Sequence, residues 1–288
     1  MQGMLVSIIN KLLPQYPEVQ TARQVALWLL EAVTEQKTAQ LLTKQIILTE
    51  QQQYQLETMI HEHLYEHKPL QYILGHVPFL DLELIVEPPV LIPRPETEEW
   101  CHWLIQQLQS MQEQPLTIAD VGTGTGCIGL ALAQALPHAT VYALDTAPEA
   151  LRLAHKNAVH NDINNIHIKR SDLLAQVADI SFDLIVSNPP YISEQEYMRL
   201  SPAVQRWEDK NALMASDEGL ALIKIIVRQA ASMLKKNVAA QQNNIPRLLI
   251  EIDRTQADTV AQLYHQAGFE RTTVLKDLFG NDRVVVAY

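Results

Sequence analysis

Four of the nine glycines in this 288-residue chain lie between positions 122 and 129, directly after an apolar strand pattern at 116–121. The segment reads Gly122-Thr123-Gly124-Thr125-Gly126 and continues into an apolar, helix-like stretch at 127–133. Glycine permits a tight turn and lets the backbone approach a ligand closely, with a helix N-terminus pointing at it. The spacing is not the common GxGxxG, and no Walker lysine follows. The segment therefore predicts a strand–turn–helix unit with a ligand site at the turn.

Strand-like and helix-like segments alternate through the rest of the chain, and this order predicts an α/β fold. The pattern is that of a mostly parallel sheet with helices on both faces. Gly280-Asn281-Asp282 separates the last two strand patterns and predicts a hairpin, which leaves one strand antiparallel. The predicted strands lie near 116–121, 140–145, 166–170, 183–187, 246–252, 269–275 and 283–288.

A second unusual segment, Asn188-Pro189-Pro190-Tyr191, follows the apolar run at 182–187. Proline fixes its own φ and donates no hydrogen bond, so the neighbouring carbonyls are held rigidly and left free to accept. The Asn188 side-chain oxygen and the carbonyl after it can accept both hydrogens of a planar NH2 group, with the Tyr191 ring against its flat face. The same residues are also ordinary turn chemistry at a strand end, and both interpretations stay open on this segment alone.

Carboxylates follow two further predicted strands. Asp145 is placed to accept hydrogen bonds from both hydroxyls of a ribose. Asp172 and Leu173 would reach an adenine ring, with the carboxylate accepting from the exocyclic amine and the leucine packing on the ring. Either aspartate could instead cap the following helix, and Asp145 could do both. Because ligands bind beyond the carboxyl ends of parallel strands, we expect the glycine segment, both aspartates and Asn188 on one face of the sheet.

Residues 1–74 predict a separate helical domain, with helices near 5–13, 22–33 and 50–65. Apolar positions in these stretches recur at helical spacing. Alternating apolar positions within 75–86 predict a hairpin, so that residues 75–95 form a linker between the domains. The helical domain would serve either to recognise a partner or only to stabilise or dimerise the chain.

Composition indicates an intracellular globular protein, with 47% hydrophobic residues and two cysteines. Cys101 and Cys127 provide no disulfide framework, which favours a reducing cytoplasm, and we expect both to be packed thiols. The N-terminus lacks the features of a signal peptide, and no apolar run approaches the roughly 20 residues of a membrane span. His61, His63 and His67 have no matching Cys or Glu cluster, so we expect no metal site.

Charge helps to choose between partners. The chain has 22 Lys and Arg against 33 Asp and Glu, a net charge of −11. This excess opposes non-specific binding to a phosphate backbone. We therefore expect no direct nucleic-acid partner, whereas a basic protein surface would be attracted.

Five segments resemble the release-factor glutamine methyltransferase family of class I S-adenosylmethionine-dependent enzymes. NPPY is shared with adenine-N6 and other amino methyltransferases, but IPRPETE is more discriminating. It separates this chain from the sister family that methylates a glutamine of a ribosomal protein. The segments are PLQYILG at 69–75, LIPRPETE at 91–98, DVGTGTG at 120–126, DLIVSNPPYIS at 183–193 and KDLFGNDR at 276–283.

The resemblance implies a seven-stranded, Rossmann-like methyltransferase domain at 96–288 behind a small helical substrate-recognition domain. It implies S-adenosylmethionine as cofactor, peptide-chain release factors as partners and a monomer. The methyl acceptor would be the side-chain amide N5 of the glutamine in the Gly-Gly-Gln motif, and the reaction would modulate translation termination. The family places Arg94 and Glu96 at the mouth of the active site. It places Phe79 beside that site, although Phe79 could equally be packed in the core of the linker between the domains.

Two other functions remain open. The first is an amino methyltransferase for adenine N6 or guanine N2 of nucleic acid, and the second is a non-catalytic binding protein that keeps the fold. The chain also departs from the family pattern at three places that concern loop geometry rather than reaction class. Glu208-Asp209 stands where Glu-Pro is usual, Ser216-Asp217-Glu218-Gly219 replaces Gly-x-Asp-Gly, and Asp253 occupies a position where glycine is common.

Overall fold

The structure, a computed structural model, describes residues 2–43, 46–235 and 245–288. By its contacts the chain forms two compact units. One comprises Met1–Gly75 with Pro202–Trp207, and the other comprises His76–Ser201 with Glu208–Tyr288. Each unit has its own hydrophobic core.

The smaller unit is helical, and the predicted helices at 5–13, 22–33 and 50–65 are present. The sequence pattern does not predict the shorter helices, because five or six residues are too few to show a helical period. The helices are α1 (Gln2–Leu12), α2 (Val19–Thr34), α3 (Thr38–Thr43), α4 (Glu50–Tyr65), α5 (Leu70–Leu74) and, later in the chain, α10 (Pro202–Trp207).

Helix α2 supplies most of the core of the helical unit. All of its buried residues except Leu27 recur at intervals of three and four, as expected for a helix packed along one face. The buried residues of α2 are Ala22, Val25, Ala26, Leu27, Leu29, Leu30 and Val33.

Helix α4 begins with a capping box, in which the Thr49 and Gln52 side chains each accept from the other's backbone N–H.

His63 on α4 is a buried, hydrogen-bonded histidine. Its Nε2 lies 2.6 Å from the Tyr16 hydroxyl and its Nδ1 lies 2.9 Å from the Lys68 carbonyl oxygen. Burial lowers the pKa of His63, because a dry site disfavours the imidazolium. Within the described residues, no group of three or more His, Cys, Asp or Glu side chains could hold a metal ion.

The larger unit begins with an antiparallel hairpin of β1 (His76–Phe79) and β2 (Leu82–Ile85). Two asparagines, one in a later helix and one directly after that helix, bind the free edge of β2. The Asn157 side chain accepts from the Ile85 N–H at 2.7 Å and donates to the Ile85 carbonyl at 3.0 Å. Asn161 makes the same pair of bonds with Glu83. These amides satisfy backbone groups that an edge strand would otherwise leave unpaired.

A seven-stranded sheet follows, in the order β5-β4-β3-β6-β7-β9-β8. Strand β9 is antiparallel to both of its neighbours and the other pairs are parallel, which confirms the predicted fold class. The strands are β3 (Thr117–Val121), β4 (Thr140–Asp145), β5 (Ile166–Arg170), β6 (Leu184–Ser187), β7 (Leu248–Glu251), β8 (Thr272–Lys276) and β9 (Asp282–Ala287).

The strand order reverses beside β3, which has β4 on one side and β6 on the other. At such a switch point the loops that follow the two central strands separate and leave a crevice. The glycine segment follows β3 and the Asn-Pro-Pro-Tyr segment follows β6, so both border this crevice. The helices of this unit are α6 (Pro95–Gln107), α7 (Cys127–Ala135), α8 (Pro148–His160), α9 (Glu194–Tyr197), α11 (Ala221–Met233) and α12 (Ala257–Gln266).

Both cysteines are free and buried. Burial raises the pKa of the Cys127 thiol to about 12 and also raises that of Cys101. Neither thiol therefore has the thiolate character of a nucleophile. Across the described residues, no helix has both the length and the apolar character that crossing a membrane requires.

Candidate active site

The glycine segment forms a compact loop between β3 and α7. Gly122, Gly124 and Gly126 all have positive φ, between 56° and 88°. The backbone N–H groups of Gly122 and Thr123 donate to the Leu144 carbonyl of β4, at 2.8 and 2.9 Å. Gly126 has a φ of +88°, which other residues rarely adopt, and a Cβ there would lie 2.9 Å from Leu130 Cδ1, so that side chain would have to shift.

The side chain of Asp120, on strand β3, binds both the glycine loop and the first part of α7. Its Oδ2 accepts from the Thr123 hydroxyl at 2.6 Å and from the Gly129 N–H at 2.9 Å. Its Oδ1 is buried and has no hydrogen-bond partner among the described residues. Burial raises the pKa of Asp120 to about 6, although the two hydrogen bonds act in the opposite direction.

The raised pKa of Asp120 predicts a specific pH dependence of stability. The folded state binds this proton more tightly than the unfolded state, whose carboxyl titrates near pH 3.8. The contribution of Asp120 to the free energy of unfolding should therefore fall as pH rises from about 4 to about 6, by up to about 3 kcal/mol.

Urea unfolding of the wild type and of Asp120→Asn across this pH range measures the effect. The difference between the two free energies of unfolding should change with pH, because contributions of the other groups cancel in it. Parallel curves for the two proteins would contradict the prediction.

Asp145, at the end of β4, ties the glycine loop to the next helix. Its Oδ2 accepts from the Gly124 N–H at 2.9 Å and its Oδ1 accepts from the Ala147 N–H at 3.0 Å, at the start of α8. The bond to Ala147 closes a turn before α8, whose N-terminus receives no side-chain capping bond, so the capping alternative is not borne out. Asp145 also lines the cavity described below. Each carboxylate oxygen keeps a further lone pair, so these two hydrogen bonds do not prevent ligand binding.

Hydrogen bonds hold both ends of the Asn-Pro-Pro-Tyr segment. The Asn188 Nδ2 group donates to Thr97 Oγ1 at 3.1 Å, and the Tyr191 hydroxyl donates to Glu251 Oε1 at 3.2 Å. Gln256 donates to the Tyr191 carbonyl oxygen at 3.1 Å. The segment is therefore held by α6, β7 and the loop after β7.

A cavity of about 860 Å³, including its part open to solvent, lies at the carboxyl ends of the strands. The charged side chains that line it among the described residues are all acidic, namely Asp145, Glu149 and Asp209. Val90, Ala150 and Leu222 contribute apolar wall. Six of the predicted site residues line this cavity: Gly122, Gly124, Asp145, Leu173, Asn188 and Pro190.

The other predicted site residues lie outside the cavity lining. Thr123 and Thr125 are buried, and Phe79 is only 1% exposed. Asp172 is exposed after β5, while its neighbours Ser171 and Leu173 line the cavity. Gly126, Pro189 and Tyr191 support the loops that border the cavity without lining it.

Arg94 and Glu96 lie at the start of α6, outside the lining. Arg94 forms an ion pair with Glu208 at 2.6 Å, and the Glu208 side chain is almost completely buried. Burial raises the pKa of Glu208 against the opposing effect of Arg94. The pair holds the loop that carries Asp209, which departs from the family pattern and lines the cavity.

Sequence reasoning missed three buried residues that lie behind the site. Thr97 and Trp100 of α6 both donate to Glu251 Oε2 at 2.7 Å. The available signal was a carboxylate at the end of the buried run Leu248-Leu249-Ile250-Glu251, because a buried charge needs several hydrogen-bond partners.

Comparison with known proteins agrees with this architecture. The family model "Methyltransferase small domain" matches residues 99–206, and the "PrmC N-terminal domain" model matches residues 9–75. A release factor glutamine methyltransferase of Escherichia coli is 36% identical over 280 residues, which cover 96% of each chain. The chain belongs to the release factor glutamine methyltransferase family. A relative with the same name from Flavobacterium psychrophilum is 36% identical over 259 residues, covering 89% of this chain and 88% of the relative.

Solved structures similar to this methyltransferase show the same fold. The hMettl16 catalytic domain, in complex with a MAT2A 3'UTR hairpin, has a TM-score of 0.56 at 15% identity and covers 84% of this chain and 83% of its own. A ribosomal protein L11 methylase from Lactobacillus delbrueckii has a TM-score of 0.50 at 20% identity. The match covers 74% of this chain and 98% of the L11 methylase chain. At these identities the likeness concerns the class I methyltransferase fold alone.

The cofactor of this methyltransferase is S-adenosylmethionine, and the cavity fits it. A Cβ at Gly122 or Gly124, which both line the cavity, would meet no atom within 4 Å, so the missing side chains leave open space where a ligand can lie against the backbone. The Asp145 carboxylate offers acceptors for ribose hydroxyls. Leu173 and the apolar wall suit an adenine ring.

Proposed function

We propose that this methyltransferase transfers a methyl group to the side-chain amide N5 of the glutamine in the Gly-Gly-Gln motif of peptide-chain release factors. The modification would modulate translation termination. The observation that carries the proposal is the orientation of Asn188. Its Nδ2 is engaged by Thr97, and it lines the cavity, so its Oδ1 remains available to accept from a substrate amide.

The acceptor arrangement answers the main chemical difficulty of the reaction. A glutamine amide nitrogen is a poor nucleophile, because its lone pair is delocalised into the carbonyl. Bound S-adenosylmethionine supplies an activated methyl group on a sulfonium. The protein's own contribution is to orient the NH2 group, with the Asn188 side-chain oxygen and the Pro189 carbonyl as acceptors and the Tyr191 ring against its face.

These acceptors also stabilise positive charge that develops on the nitrogen as the new bond forms. Correct alignment of nitrogen and methyl group lowers the barrier by several kcal/mol. We propose no side chain as a strong base, because the proton can leave to water after transfer. Pro190 holds the backbone between the acceptors and the Tyr191 ring.

We assign the cofactor-binding roles to the strand ends. The loop Gly122–Gly126 would approach the cofactor closely, Asp145 would bind the ribose, and Leu173 would pack on the adenine. Asp172 would reach the exocyclic amine from the rim of the cavity. Arg94 and Glu96 would contact the substrate near the entrance, and Phe79 would help to wall the site.

We propose that residues 1–74 recognise the release factor and that the hairpin linker at 75–95 connects them to the catalytic domain at 96–288. The acidic net charge and the acidic cavity lining favour a basic protein surface over a nucleic acid. A monomer acting in the cytoplasm is consistent with this function.

A single assay tests the proposal. The protein is incubated with S-adenosylmethionine and an unmodified release factor, and the product is mapped by peptide mass spectrometry. We expect one added methyl group on the glutamine of Gly-Gly-Gln and none on a release factor in which this glutamine is replaced by alanine. Confirmed cofactor binding without methylation of the release factor would refute the proposal, and the same assay on total RNA and DNA would then test nucleic-acid amines.

A further inference from the structure

We propose that Glu251 is a positioning residue that fixes the orientation of the Asn188 amide through the hydroxyl of Thr97. Glu251 ends β7 and is 1% exposed. One of its oxygens, Oε2, accepts from Thr97 and from Trp100, and the other, Oε1, accepts from Tyr191. One buried carboxylate therefore connects α6 to both ends of the Asn-Pro-Pro-Tyr segment.

The direction of each hydrogen bond follows from the groups involved. The Trp100 indole N–H can only donate, so Glu251 Oε2 acts as an acceptor. The Thr97 hydroxyl has one hydrogen and directs it to the same oxygen, 2.7 Å away. Only the lone pairs of Thr97 Oγ1 then face Asn188, at 3.1 Å, and they select the NH2 end of the amide. The carbonyl end of Asn188 is thereby kept free as an acceptor.

Thr97 is well suited to transmit this orientation. It is 1% exposed, and its backbone N–H donates to the Arg94 carbonyl in the first turn of α6. A buried β-branched residue has few accessible rotamers, so its hydroxyl cannot turn away easily. Without Thr97 Oγ1, the NH2 end of the Asn188 amide would lose its acceptor, and the amide could present its NH2 group to the cavity.

The carboxylate itself is held in a demanding environment. Burial raises the pKa of Glu251, while the hydrogen bonds from Trp100, Thr97 and Tyr191 and the charge of Arg283 favour the ionised form. Arg283 is in turn paired with Asp277 at 2.9 Å. Burial of a carboxylate is costly unless it is paired and hydrogen-bonded. Of the three hydrogen-bond partners of Glu251, Thr97 contacts Asn188 and Tyr191 belongs to the Asn-Pro-Pro-Tyr segment. This placement supports a positioning role beyond packing.

The test is a matched pair of substitutions at Thr97. Thr97→Val keeps the shape and removes the hydroxyl, whereas Thr97→Ser keeps the hydroxyl. We expect Thr97→Val to lower kcat for glutamine methylation about tenfold. A misoriented Asn188 amide no longer presents its Oδ1 as an acceptor to the substrate NH2 group. Its dissociation constant for S-adenosylmethionine should change less than about twofold, since Thr97 does not line the cofactor cavity. Thr97→Ser should retain most of the wild-type kcat.

Leu104→Val controls for loss of packing on the same helix. Leu104 is fully buried in α6, and its apolar side chain takes no part in these hydrogen bonds. It should lower the melting temperature while kcat at a permissive temperature stays near that of the wild type. A Thr97→Val enzyme with wild-type kcat, or equal losses of kcat in Thr97→Val and Leu104→Val, would overturn the positioning role.

The kcat readout rests on the proposed function, so a second readout tests the orientation without any substrate. The side-chain NH2 signals of Asn188 are assigned in nitrogen-15 spectra by their loss in Asn188→Ala. In Thr97→Val these hydrogens should exchange with solvent about tenfold faster than in the wild type and in Thr97→Ser, because they have lost their acceptor. Unchanged exchange would overturn the inference, whereas absent methylation by the wild type would refute only the proposed function.

Discussion

Asn188→Ala is expected to lower kcat for methylation of the release-factor glutamine at least tenfold. In the proposed mechanism, the substitution removes the side-chain oxygen that would accept from the substrate NH2 group and stabilise its developing charge. Affinity for S-adenosylmethionine should change less, because Asn188 is one of many residues that line the cavity. Single-turnover methylation measures the first quantity, and calorimetric titration with the cofactor measures the second.

Asn164→Ala provides a control for removal of an asparagine. Asn164 is exposed and lies before β5, away from the cavity lining. Its substitution should leave both kcat and cofactor affinity unchanged. If Asn188→Ala weakened cofactor binding as strongly as it lowered kcat, Asn188 would be mainly a cofactor ligand.

Gly219→Ala is expected to displace the Asn-Pro-Pro-Tyr segment. Gly219 has a φ of +84°, and a Cβ there would lie 1.9 Å from the Tyr191 carbonyl oxygen and 2.7 Å from Gln256 Nε2. Because the first of these atoms belongs to the backbone, the segment itself must move. We expect the free energy of unfolding to fall by about 2–4 kcal/mol, from overpacking together with the strain of positive φ. The kcat should fall at least tenfold, since small shifts of positioning groups are costly.

Gly268→Ala separates these two causes. Gly268 has a φ of +94°, but a Cβ there would meet no atom within 4 Å. It should therefore cost only about 1 kcal/mol of stability, from backbone strain, and leave kcat unchanged. Chemical denaturation and methylation assays of both variants test the comparison. Equal effects of the two substitutions would show that contact with Tyr191 is unimportant.

The sheet and the main features of its ligand edge could be predicted from the sequence. Apolar runs identify the strands, and the rule that ligands bind at the carboxyl ends of parallel strands brings Gly122, Asp145 and Asn188 together although they are far apart in the chain. Each of these three residues lines the cavity. The single antiparallel strand also follows from the turn chemistry at Gly280-Asn281-Asp282.

The surroundings of these residues could not be predicted in the same way. Thr97, Asn188 and Glu251 meet only after three elements have packed, and no local pattern records their hydrogen bonds. The exact direction of a loop side chain is equally inaccessible. After β5, Ser171 and Leu173 line the cavity, whereas Asp172 between them is exposed to solvent. The sequence does not show which of these three neighbouring side chains would reach the cavity.

The asparagine that closes the edge of the hairpin has a consequence for the dissection of the chain. Besides its two bonds with Ile85, the Asn157 side chain donates to the Thr125 carbonyl oxygen in the glycine loop at 2.9 Å. The same amide thus supports β2 and the loop against which the cofactor would lie. A catalytic fragment that starts at residue 96 would lack Ile85 and with it two of these three hydrogen bonds, whereas one that starts at residue 76 would keep all three. A shortened catalytic domain, or one fused to a different recognition domain, should therefore keep strands β1 and β2 together with α8.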